Sequence, residues 1–90
     1  ERVLDFLKKN NNLIVEVGGH TNGWCSHVFA HELSDKRAKK VRKYFVENGV
    51  SADRIQYRGY GKTNPIATND NAAGRQKNQR VELKILEILE

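Results

Sequence analysis

The stretch from Leu33 to Asn48 has one apolar side, and an arginine lies within it. At about 100° per residue, Leu33, Val41, Tyr44 and Phe45 gather on one side of a helix, with Ala38 at its edge. Lys36, Lys39, Lys40 and Lys43 take the opposite side. A helix divided this way needs an apolar surface to lie on. Segments of alternating polarity before and after it can supply that surface. Arg37 falls inside the apolar arc, between Leu33 and Val41. Burying an unpaired guanidinium is costly, so Arg37 either pairs with an acid of the same fold or takes an anion from outside.

The rest of the chain reads α-β-α-β, then a loop, then β. Glu1 to Lys9 predicts a short helix with Val3, Leu4 and Leu7 inward, stopped by Asn10, Asn11 and Asn12. Leu13 to Val17 alternates as a strand, with Leu13, Val15 and Val17 on one face. Gly18 and Gly19 follow, where a backbone or ligand can come close, and His20 to Ser26 reads as a polar loop. The long helix ends at Asn48-Gly49, a common left-handed stop. Val50 to Arg54 is a connection. Ile55, Tyr57 and Gly59 alternate with Gln56, Arg58 and Tyr60 as a strand. Gly61 to Asn71 is loop around Pro65, and Gly74 to Asn78 is a helical turn. Val81, Leu83 and Ile85 alternate with Glu82 and Lys84 as the last strand, which can continue through Leu86 to Glu90.

Strands separated by helices predict an α+β fold, with helices packed on one face of a mixed β-sheet. Ninety residues make one small domain, 1–90. Three strands are few for such a sandwich, and the chain starts at Glu1 without Met, in mid-helix. The expectation is an N-terminally truncated fragment of a longer protein whose first strand precedes Glu1.

Composition narrows the function classes. The chain is 38% hydrophobic and 30% charged, as soluble globular domains are. No apolar run approaches the roughly 20 residues that span a bilayer. The net charge of +5 suits an anionic polymer or surface. Nucleic acid is not an expected partner: there is no helix-turn-helix pattern, no aromatic RNP-like strand and no zinc finger. Catalysis is not expected either, because no nucleophile, base and acid share a sensible spacing and no phosphate-binding glycine loop appears. No cofactor is implied.

Two local clusters could carry chemistry. Gly19-His20-Thr21-Asn22-Gly23 follows a strand and precedes the long helix, and loops at the carboxyl ends of strands are common ligand sites. Thr21 and Asn22 offer a hydroxyl and an amide. A plain Asn-Gly turn is the alternative. Cys25, His27 and His31 lie within seven residues, and the two histidines share a helix face if that helix begins near Ser26. This set could hold zinc or copper, with His20 as a fourth ligand, although its spacing matches no recognised zinc pattern. His20 either lines the Thr21–Asn22 loop, where its protonation would favour a carboxylate, or packs beneath it.

Four ordered blocks carry a resemblance. Val17-Gly18-Gly19-His20-Thr21-Asn22 is similar to the Gly-His-Thr-Asp strand and loop of the OmpA-like C-terminal domain family. Leu33-Ser34-Asp35-Lys36-Arg37-Ala38 matches its Leu-Ser-x-x-Arg-Ala, and Gly59-Tyr60-Gly61-Lys62-Thr63-Asn64-Pro65-Ile66 matches its Gly-Tyr-Gly block. Gly74-Arg75-Gln76-Lys77-Asn78-Gln79-Arg80-Val81-Glu82 matches its Gly-Arg-x-x-Asn-Arg-Arg-Val-Glu. Together the blocks span roughly three-quarters of the chain.

The resemblance implies a non-covalent peptidoglycan-binding module of a bacterial envelope protein. It implies that the module lies on the periplasmic side of the outer membrane and recognises the diaminopimelate of the stem peptide. The outer membrane would be reached through other parts of the parent protein. Arg37 matches the family arginine that takes a ligand carboxylate, which a guanidinium fork suits. Thr21, Asn22, Leu33, Asn78, Gln79 and Arg80 complete the implied ligand set. This chain departs from the family pattern at three polar positions. Asn22 stands for an aspartate that helps hold the diaminopimelate amine, Ala30 for an asparagine, and Gln79 for an arginine. Two other readings therefore stand beside wall binding: a structural or protein-interaction module with weakened or lost peptidoglycan binding, and a metal-binding variant using Cys25, His27 and His31.

Overall fold

A computed structural model describes residues 2–24 and 26–89. Helix α1 (Arg2–Lys9) leads into strand β1 (Leu13–His20), and the long helix α2 (His27–Glu47) follows. A 3-10 turn (Ala52–Arg54) enters strand β2 (Ile55–Gly61). Helix α3 (Ala72–Asn78) and strand β3 (Arg80–Ile88) complete the order. The sheet runs β2-β1-β3, with β1 parallel to β2 and antiparallel to β3. The architecture is the expected α+β mixed sheet.

One face of the sheet carries the core. Leu13, Val15 and Val17 of β1 meet Leu4 and Leu7 of α1, Ala38 and Phe45 of α2, and Val50 and Ile55. Arg54 ties three segments of this core together. Its guanidinium donates to the carbonyls of Leu7, Asn10 and Leu13 at 2.8–3.0 Å, so it covers carbonyls at and just past the C-terminal end of α1, where a cation is favoured.

Several boundaries differ from the sequence expectation. Strand β1 runs three residues past Val17, because Gly18, Gly19 and His20 pair with β2 and β3. His20 is thus the end of a strand and not the start of the loop. Helix α2 begins six residues before Leu33, where the Ser26 hydroxyl accepts a bond from the Phe29 amide at 3.2 Å and caps it. Asn71 caps α3 in the same way, accepting from the Gly74 amide at 2.7 Å, so the expected turn is a seven-residue helix.

The buried face of α2 also differs from the expected one. Ala30, Ser34, Ala38 and Phe45 face the sheet. Leu33, Arg37 and Val41 are half-buried along the flank, and Tyr44 is exposed. Small side chains win the central stripe because α2 approaches glycines on β1 and β2. A Cβ on Gly59 would lie 2.5 Å from the Asp35 amide nitrogen, and one on Gly19 would overlap the Ser34 carbonyl. The glycines therefore admit a helix and not a ligand. The Ser34 hydroxyl, fully buried, accepts from the Gly61 amide at 2.9 Å and donates to the His31 carbonyl at 3.0 Å.

Two further inward assignments are corrected. Val3 is exposed while Leu4 and Leu7 are buried. Val81 and Ile85 are also exposed, with only Leu83 half-buried, because α2 packs over β1 and β2 and not over β3. No helix among the described residues is long and apolar enough to cross a membrane.

Candidate functional site

The loop after β1 is held by backbone and amide bonds before any ligand is considered. The Thr21 amide donates to the Gly61 carbonyl at 2.9 Å, continuing the β1–β2 pairing by one residue. The Asn22 side-chain oxygen accepts from the Trp24 amide at 3.0 Å and closes a tight turn. Asn69, from the loop after β2, accepts from the Gly23 amide at 2.9 Å and from the Asn78 side chain at 2.9 Å. Arg75 of α3 lies over the Trp24 ring, 3.3 Å from its centroid, while donating to the Asn69 carbonyl. Two loops and α3 thus brace one another across the end of the sheet.

This bracing leaves a cleft of about 200 Å³ lined by Thr21, Asn22, Trp24, Phe29, Leu33, Arg37 and Gln79. Phe29 and Leu33 are four residues apart and Arg37 follows by another four, so all three project from one side of α2. Arg37 is half-buried, and its guanidinium makes no hydrogen bond or ion pair among the described residues. Of the two possibilities for an arginine in the stripe, the internal salt bridge is absent among those residues. Trp24 is 71% exposed and Phe29 55% exposed. Together they form an apolar wall beside the guanidinium. Such a cleft can take a carboxylate through Arg37, hydrogen-bond a polar neighbour at Asn22 or Gln79, and bury an aliphatic chain against the aromatic rings.

Five members of the expected set converge here: Thr21, Asn22, Leu33, Arg37 and Gln79. Asn78 and Arg80 do not line the cleft. Asn78 is fully buried, and its amide is consumed by the loop after β2. Its oxygen accepts from the Ile66 and Ala67 amides at 2.8 and 3.0 Å, and its nitrogen donates to the Ala67 carbonyl at 3.0 Å and to Asn69. Arg80 donates to Glu82 at 2.8 Å and to the carbonyls of Asn78 and Asn64. Asn78 pins the loop that carries Asn69, and Arg80 ties Asn64 to the start of β3 on the other face of the sheet.

His20 also faces elsewhere. It is 3% exposed on the sheet face away from α2 and stacks on Tyr60 with centroids 5.1 Å apart. Burial, followed by the nearby Arg80 charge, lowers its pKa below the usual histidine value, against a smaller opposing pull from Glu82 3.4 Å away. The hydrogen bond from Arg80 holds the Glu82 carboxyl below its ordinary range. The hydrogen bond from Tyr60 to Glu16 raises the phenol. His20 does not line the Thr21–Asn22 cleft; its ring packs on Tyr60 beside Glu82 on the other face of the sheet.

His27 and His31 are exposed at the start of α2. They line a shallow depression of about 600 Å³ with Val28, Glu32 and Asp35. Cys25 lies outside the described residues, and among those described no three His, Cys, Asp or Glu side chains are grouped to hold a metal. Phe29 and Arg75 were not anticipated as site residues. The Ser26 cap was the signal for Phe29, since a helix starting there puts Phe29 and Leu33 on one side. Nothing in the sequence pattern places Arg75 over Trp24.

Comparison with known proteins gives a consistent family. The sequence profile of the OmpA family matches residues 1–79. The peptidoglycan-binding protein ArfA of Mycobacterium tuberculosis is 42% identical over 84 residues, covering 93% of this chain and 26% of that protein. The C-terminal domain of Helicobacter pylori MotB superposes with a TM-score of 0.88 at 32% identity, covering 96% of this chain and 67% of that one. The cell wall anchor of the Pseudomonas aeruginosa T6SS superposes with a TM-score of 0.83 at 31% identity, covering 99% and 63%. The chain spans between 10% and 35% of the length of the first curated relatives it matches.

Proposed function

The chain belongs to the OmpA family, and from that premise we propose that it is a non-enzymatic module that binds peptidoglycan without a covalent bond. In this reading it anchors a longer envelope protein to the cell wall on the periplasmic side of the outer membrane. The link to the outer membrane belongs to other parts of that protein. The observation that carries the reading is Arg37: a half-buried guanidinium without an ion partner among the described residues, opening into a cleft with an apolar wall.

In this mechanism the stem-peptide carboxylate meets the Arg37 fork. A guanidinium pre-set on a helix loses less freedom on forming two parallel bonds than a lysine would. Partial burial of the cleft reduces competition from water and strengthens the charge-assisted bonds. Thr21, Asn22 and Gln79 offer uncharged polar groups beside it, and Leu33 with the aromatic wall receives the aliphatic part of the peptide. Asn78 and Arg80 act as positioning residues for the loops.

Calorimetric titration with a diaminopimelate-containing muropeptide tests this directly. Replacing Arg37 with Ala is expected to weaken binding at least about tenfold, since a hydrogen bond to a charged group is worth about 1.5–3 kcal/mol. The melting temperature should hardly move, because no internal ion pair is lost. Undiminished binding by the Arg37→Ala chain, or no binding by the intact one, would refute the proposal.

A further inference from the structure

The cleft that holds Arg37 contains one cation and no anion among its described lining residues. Asn22 and Gln79 are uncharged amides, and Thr21 contributes a hydroxyl. Arg75, covering one face of Trp24, adds a second guanidinium directly behind the wall. A ligand ammonium brought into this space meets two like charges and no carboxylate. A carboxylate beside an uncharged amide is treated differently. The carboxylate takes Arg37, while the amide N–H and C=O can be matched by amide side chains, which both donate and accept. An acyl group on that amide has an apolar surface to lie on, because Trp24 and Phe29 are both mainly exposed along the cleft.

Resting on the wall-binding reading, we infer that the cleft selects stem peptides whose side-chain amine, next to the bound carboxylate, is acylated. Wall strands in which that amine carries a peptide cross-link present this group, whereas un-cross-linked strands present an ammonium. Asn22 is the specificity-determining residue. Its oxygen already accepts the Trp24 amide, and an aspartate at position 22 could accept the same bond. The substitution would therefore keep the bond from the Trp24 amide while exchanging the amide N–H donors for a charged acceptor.

Two disaccharide tripeptides ending in diaminopimelate serve as probes, one with the side-chain amine free and one with it acetylated. Each is titrated calorimetrically into the intact chain, the Asn22→Asp chain and the Arg37→Ala chain, with thermal melts confirming that all three fold. The intact chain is expected to bind the acetylated peptide at least about threefold more tightly. The Asn22→Asp chain should reverse this and favour the free amine by about tenfold, because a charge-assisted bond is roughly twice as strong as a neutral one. A smaller or opposite preference in the intact chain, or a preference that Asn22→Asp leaves unmoved, overturns the inference. Wall binding then still stands, provided Arg37→Ala abolishes binding of both peptides. Failure of the intact chain to bind either peptide overturns both.

Discussion

Replacing Asn78 with Ala separates a residue that touches the ligand from one that holds the scaffold. Asn78 is fully buried and makes four hydrogen bonds, to Ile66, Ala67 twice and Asn69. Truncation deletes all four and leaves two amide N–H groups, a carbonyl and an amide oxygen to find new partners. Each net bond is worth about 1 kcal/mol, and a buried group left without any partner costs about 1–3 kcal/mol. Ile66 is exposed and Ala67 half-buried, so water can reach part of the vacated network. The expected loss is about 2–4 kcal/mol. At about 4–8 °C per kcal/mol for a domain of this size, the melting temperature should fall by about 8–32 °C. Calorimetric or circular-dichroism melts at neutral pH measure it. Muropeptide affinity below the new melting range should fall only a few-fold, because Asn69 would still reach the Gly23 amide but less firmly. A melting temperature within about 3 °C of the parent, together with a tenfold loss of affinity, would refute the scaffold role.

Three other expectations test neighbouring parts of the framework. Arg54→Ala should cost about 2 kcal/mol by releasing three carbonyls, and Arg54→Lys should recover only part of it because a lysine lacks the planar fork; denaturant midpoints read both. Gly59→Ala places a Cβ 2.5 Å from the Asp35 amide and should destabilise by about 1–3 kcal/mol or more, with a loss of muropeptide affinity because Arg37 rides on the displaced helix. His20 has a folded-state pKa below its unfolded value. The unfolded chain therefore takes up the proton first as pH falls, and stability drops as pH is lowered through about 6.5. A His20→Gln chain should lose less stability than the parent between pH 7.5 and 5.5; an equal loss would exclude His20 as the cause. Affinity should carry no His20-dependent step over this range, since the imidazole lies on the other side of the sheet from the cleft.

Local pattern recovered the elements more reliably than their ends. Alternation in Leu13–Val17 and Val81–Ile85 located two strands, and the helical stripe located α2. Strand β1 was cut short because Gly18 and Gly19 carry no side chain to continue the alternation, although their backbones pair on both sides. Helix α2 starts at His27, six residues before Leu33 opens the apolar arc, and the capping hydroxyl of Ser26 marks that start. Tyr44 is aromatic and falls within the apolar arc, yet it is exposed, because the glycines beneath α2 favour small residues at the contact.

The candidate site divides along the same line. Arg37 was conspicuous from the sequence alone, since a guanidinium within an apolar arc requires a partner somewhere, and the four ordered blocks identified the family. The order of strands and helices and the basic outer face of α2 were also fixed by residue identity and spacing. Tertiary structure alone decided which polar groups are free to meet a ligand. Asn78 and Arg80 sit in the same block as Gln79, yet the first two are consumed by loop carbonyls and amides while Gln79 opens into the cleft. It also set Arg75 against Trp24, 51 positions apart in the chain. Hydrogen bonds and ring contacts of this kind depend on distances of a few ångströms between segments far apart in sequence, and those distances exist only once the helices have closed on the sheet.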